Sequence, residues 1–86
     1  MRRLTSAEAM EFLEVTLDCS LDTIGTGCLE AWHYDATVDQ VLVDLESYVA
    51  TLRDDIDLSS VSITPDRAEG GNVPCVHIFI RTEVLQ

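Results

Sequence analysis

TVDQVLVDLESYVATLRDDI, residues 37–56, carries the strongest periodicity in the chain. Val38, Val41, Leu42, Leu45, Tyr48, Val49, Leu52 and Ile56 follow i, i+3, i+4, i+7 spacing. At about 100° per residue they form one stripe roughly 120° wide, which predicts an amphipathic helix. Thr37 and Gln40 make a capping-box pattern at its start, and Asp39 falls in the first turn, where a negative charge suits the helix dipole. Arg53 suits the opposite end, whereas Asp54 and Asp55 do not, so the helix is expected to stop there. Val43 and Ala50 fall off the stripe; they are either simply exposed or covered by a second element.

Upstream, Thr5-Ser6-Ala7-Glu8 is a second capping-box pattern with Leu4 as staple residue. It predicts a helix from Ser6 to Leu17, with Met10, Leu13 and Leu17 on its core face and Glu11, Glu14 and Asp18 opposite, as a solvated row. Cys19–Gly27 is rich in turn and breaker residues and reads as a loop. Cys28–Tyr34 reads as a strand, with Cys28, Glu30, Trp32 and Tyr34 on one side and Leu29, Ala31 and His33 on the other. Downstream, Asp57–Ser59 turns the chain, and the alternation of Val61 and Ile63 with Ser60, Ser62 and Thr64 predicts a half-buried strand. Pro65–Asn72 reads as a polar connection in which Gly70 and Gly71 supply positive φ. Pro74 opens a last strand whose Val76, Ile78 and Ile80 face one way and Cys75, His77, Phe79 and Arg81 the other.

These elements predict an α+β fold in the order α-β-α-β-β. The expected architecture is a two-layer sandwich, a three-stranded mixed sheet with two helices on one face. Its first two strands would be parallel neighbours joined through the central helix, and its last two would form a hairpin. The uncovered face would then carry Trp32, Cys75, His77 and Phe79.

At 86 residues the chain is expected to be a single domain, and 47% apolar residues are too many for a disordered one. No apolar run approaches the roughly 20 residues of a membrane span. Met1-Arg2-Arg3 is followed by no apolar segment, so no signal peptide is expected and the cytoplasm is the expected compartment. Cys19, Cys28 and Cys75 are odd in number and lack framework spacing, as free thiols in a reducing compartment would. Sixteen acidic residues against five arginines, with no lysine, give a formal charge of −11. That charge repels nucleic-acid phosphates and acidic membranes; it leaves a basic protein partner, an uncharged contact, or solubility alone.

Cys75 and His77 share one side of a strand, and zinc takes such ligands in tetrahedral sets, with Cys28 or His33 to add. The spacing is not C-x-x-C and no second pair exists, so a small hydrophobe beside a half-buried histidine is the better reading. As nucleophile and base the two would stand about 6–7 Å apart, too far for a direct bond. Asp54-Asp55-Ile56-Asp57 lacks the glycine and ligand pattern of a calcium loop, and Gly25-Thr26-Gly27 is no phosphate-binding motif. Ser20-Leu21 in Cys19-Ser20-Leu21-Asp22 is similar to the Asp-Ser-Leu attachment site of acyl carrier proteins. Cys19 replaces the required Asp, glycines interrupt the required helix, and the last strand has no place in a four-helix carrier, so that family is set aside.

The sequence therefore predicts no catalytic set, no metal and no cofactor. It predicts an interaction or accessory module acting as a homodimer, either through the face where Trp32, Cys75, His77 and Phe79 would form an interface or a pocket, or through strand-edge pairing. A second expectation is an acidic inhibitor, a nucleic-acid mimic or immunity-type protein, that blocks a basic site through Glu11, Glu14, Asp18, Asp39, Asp44, Asp54 and Asp55. A third is a small-ligand binder whose pocket forms between two copies.

Overall fold

In a computed structural model describing residues 1–71 and 73–83, the order is α1 (Ser6–Met10), a π-helical turn (Glu11–Thr16), β1 (Leu21–Gly25), β2 (Cys28–Tyr34), α2 (Val38–Leu52), β3 (Val61–Ala68) and β4 (Val73–Arg81). The fold is α+β, and the expected order α-β-α-β-β lacks one strand. The sheet has four strands in the order β1-β2-β4-β3, and every neighbouring pair is antiparallel. It is therefore not the mixed, three-stranded sheet expected. β2 and β3 do run in the same direction, since each is antiparallel to β4, but β4 lies between them. Pro65 accounts for this, because a residue without an N–H is tolerated at a sheet edge and not in its centre. With β3 confined to the edge, its hairpin partner β4 takes the central place beside β2.

The expected loop at Cys19–Gly27 contains β1, which pairs with β2 from Leu21↔Ala31 to Gly25↔Cys28, with an irregularity between Leu21 and Thr23. An edge strand pairs on one side only, so turn-forming residues cost it less than they would a central strand. Thr26 and Gly27 close the hairpin, and Gly27 takes φ 79°, a conformation that favours glycine. The polar connection expected from Pro65 begins later, because β3 continues to Ala68; Gly70 and Gly71 do take positive φ (70° and 89°). Asn72, the last residue of that expected connection, lies outside the described residues.

α1 begins as its sequence dictates. Thr5 accepts from the Glu8 amide (3.1 Å), and Glu8 Oε1 accepts from the Thr5 amide (2.9 Å). The helix does not run on to Leu17 in α geometry. After Met10 it widens, and the Leu17 amide reaches the Phe12 carbonyl (3.0 Å) in place of that of Leu13. Phe12 and Leu17 would stand about 140° apart on a straight α-helix; the wider turn brings both, with Leu13, into the core. The Cys19 amide then closes the end on the Leu13 carbonyl (2.8 Å), with Asp18 left-handed at φ 57°.

α2 starts where expected, Thr37 accepting from the Gln40 amide (3.2 Å). It ends at Leu52, with Arg53 left-handed at φ 54°, so Ile56 reaches the core from outside the helix. There Ile56 forms an isolated parallel bridge with Arg2, tied by Arg2 N–H to the Asp55 carbonyl (3.0 Å) and Asp57 N–H to the Arg2 carbonyl (2.7 Å). Val41, Leu45 and Tyr48 of the stripe are buried, whereas Leu42 is not. One apolar cluster joins Ala9, Phe12, Leu13 and Leu17 to Val41, Leu45 and Tyr48, to Leu29 and Ala31 of β2, and to Val76, Ile78 and Ile80 of β4, with Val61 and Ile63 of β3 packed against it. Each large side chain fully buried there contributes about 1.5–3 kcal/mol.

Candidate functional site

The pairing register sets Trp32 opposite His77 and Thr64 opposite His77 on the other flank; Glu30 and Ser62 flank Phe79, and Tyr34 and Asp66 flank Cys75. These residues share the sheet face opposite the alternating Val76, Ile78 and Ile80. Trp32, Cys75, His77 and Phe79 are thus brought together as expected, and none of the four belongs to the apolar cluster that the helices complete.

Two residues missed as site members tie this face together. His77 Nε2 lies 2.7 Å from Glu30 Oε2; a carboxylate accepts, so Nε2 carries the proton. The His77 ring also meets the Trp32 ring, centroids 4.8 Å apart and planes tilted by 41°. The Trp32 indole N–H donates to Asp66 Oδ2 (2.9 Å), reaching from β2 across β4 to β3. That bond, followed by the Arg67 amide on Oδ1 (2.8 Å), holds the Asp66 carboxyl below the usual carboxylate range. Alternation along β2 already puts Glu30 beside Trp32. Asp66 has no such signal, because Pro65 disguises its strand as a loop.

Cys75 is 3% exposed although it lies on the uncovered side of β4, and burial pushes its thiol up, with Asp66 adding to the effect. Cys19, 8% exposed, is pushed up to about 11 by burial. Both are held as neutral thiols, the opposite of what a nucleophile needs. Two depressions flank the face. One of about 370 Å³ lies between Leu17–Leu21 and Trp32–Tyr34; one of about 530 Å³ lies between the start of α2, Pro65–Arg67 and Pro74–Val76. Among the described residues no group of three or more His, Cys, Asp or Glu side chains could hold a metal ion.

The seven carboxylates expected to form one acidic surface are spread over the π turn and its exit, α2 and the segment after it. Glu11 accepts from the Tyr48 hydroxyl (2.8 Å), which lies 3.1 Å from the Glu8 carbonyl; burial, then Glu11, raises the phenol's pKa. Asp54 Oδ2 accepts from Arg2 Nε (2.6 Å), and Arg2 Nη1 and Nη2 grip the two Glu8 oxygens at 2.7 and 2.9 Å. The Arg2 bonds pull Glu8 down to about 2 and lower Asp54 as well. Glu14, Asp18, Asp39 and Asp55 are exposed and Asp44 is half-buried. Glu11 and Asp54 thus serve the fold, and the remaining five do not converge on one element.

Among the described residues no helix is long and apolar enough to cross a membrane. In comparisons with protein-family models, curated proteins and solved structures, nothing matched this chain.

Proposed function

We propose that the chain is an interaction module that forms a homodimer through the sheet face bearing Trp32, His77 and Phe79. In this reading the fold is a two-layer sandwich with its helices on one face and a second copy on the other. The carrying observation is the link from Glu30 through His77 and Trp32 to Asp66, which fixes two rings on a face outside the helix-covered core. Fixed aromatic side chains contribute contact area at low entropic cost, as interface anchors do. Charge favours a second copy here over elsewhere. Two chains of charge −11 repel, and on the described part of this face Glu30 and Asp66 are both engaged while Arg81 adds a positive charge. Cys19 and Cys75, buried and held neutral, are poor nucleophiles. The three free cysteines fit a reducing compartment such as the cytoplasm.

Light scattering coupled to size exclusion is expected to return a dimer for the wild-type chain and a folded monomer for Phe79→Arg, with the wild-type dimer strengthened by added salt, which screens the repulsion between two chains of charge −11. A wild-type chain that stays monomeric at high concentration, or a Phe79→Arg chain that stays dimeric, overturns the reading.

A further inference from the structure

α2 turns a second stripe outward. Asp39, Val43, Glu46 and Ala50 are all exposed and stand at i, i+4, i+7, i+11, within about 60° of helix arc. Val43 is 61% exposed at the centre of the helix's solvent side, while Leu42, about 100° round from it at the edge of the buried stripe, is 40% exposed. A valine there adds nothing to core burial, and its branched Cβ makes it a weaker helix former than alanine. Among the described residues the three ion pairs leave Asp39 and Glu46 out.

We propose that this outward strip docks a basic amphipathic helix of another protein. Its apolar side chains would cover Val43, with Leu42 at the margin of the contact, and the small Ala50 would let the two backbones approach. Asp39 and Glu46 are about 10 Å apart along the axis, so lysines or arginines seven residues apart on the partner would meet both. The charge of the strip commits the occupant. Two copies of α2 would set these carboxylates against one another, and nucleic acid and acidic membranes carry the same sign as the strip. The strip lies on the side of α2 away from the sheet, so it is independent of the proposed dimer face. Val43 and Ala50 there stand out from an otherwise polar surface as a contact needs.

Isothermal titration with a synthetic capped peptide tests this directly. The peptide carries a Leu/Ala stripe and lysines at seven-residue spacing; the control is a scramble of the same composition. The striped peptide is expected to bind about tenfold more tightly than the scramble, a difference of about 1.4 kcal/mol. Val43→Asn, which leaves every charge in place, should remove that advantage, and added salt should weaken binding throughout. Phe79→Arg should leave peptide binding unchanged, so failure of the dimer reading and of this one are told apart. Equal affinity for striped and scrambled peptides, or for wild type and Val43→Asn, would mean diffuse attraction only and overturn the proposal. So would a change of oligomeric state in Val43→Asn, which would make the strip a contact between copies.

Discussion

β4 builds two unlike surfaces from alternate residues. Val76, Ile78 and Ile80, at 0–1% exposure, belong to the apolar cluster that the helices complete, and their partners across the sheet are apolar in turn: Ile78 stands between Ala31 and Ile63, and Ile80 between Leu29 and Val61. One residue further on, His77 stands between Trp32 and Thr64, and Phe79 between Glu30 and Ser62. The first face is held by non-directional burial, which tolerates small shifts. The second is held by bonds with fixed geometry, which do not. The strand thus keeps its stability on one side and its specific arrangement on the other.

The neighbours Ile78 and Phe79 put that contrast to its severest test. Ile78→Ala empties a fully buried site and is expected to cost about 2–5 kcal/mol. Phe79→Ala truncates a half-buried ring on the other face and should cost less. Urea unfolding at dilute concentration, where association adds nothing to apparent stability, measures both. Equal losses would mean that the second face is core as well, and the division would fail.

A smaller effect separates the faces by pH. On the helix side, the Arg2 guanidinium holds Glu8 at about 2 against an ordinary value of 4.5. The folded carboxyl titrates lower than the unfolded one, so this pair's stabilisation is fully present above the unfolded value and is lost as pH falls through that window. Glu8→Gln should lower the midpoint of unfolding at neutral pH and flatten its decline in acid. A variant that declines as steeply as wild type would show that Arg2 and Glu8 are not coupled to folding. The pair is partly exposed, so its effect stays below that of Ile78→Ala.

How much of this was legible in the sequence follows from how local each signal is. The start of α2, the two sides of β4 and the side of β2 bearing Trp32 are periodic patterns within one segment, and they stand where expected. β1 is not such a pattern. Asp22, Thr23 and Gly25 are turn formers, and the strand geometry of β1 comes from pairing with β2. Pro65 hid the second half of β3 because its local preference is for turns, and only its edge position resolves the conflict. The wider turn after Met10 is set by where Phe12 and Leu17 must reach. At the site, Trp32, Cys75, His77 and Phe79 were legible one by one through alternation. The bonds from Glu30 to His77 and from Trp32 to Asp66 depend on register between strands, which no single stretch records.

The gentlest change falls on that second kind of contact. Trp32→Phe keeps an aromatic ring beside His77 and removes the indole N–H that reaches Asp66 Oδ2. Carboxyl titration followed by NMR should show Asp66 moving up towards the ordinary carboxylate range, because its largest lowering influence is gone while the Arg67 amide remains. The sign carries over to stability. A lowered folded value contributes stability above the unfolded value and loses it as pH falls, so the variant should lose slightly at neutral pH and nothing at strongly acid pH. Global stability should change little, since Asp66 is exposed. If Asp66 titrates identically in both proteins, the indole does not bridge β2 to β3 in solution, and the fixed geometry assigned to this face loses its strongest support.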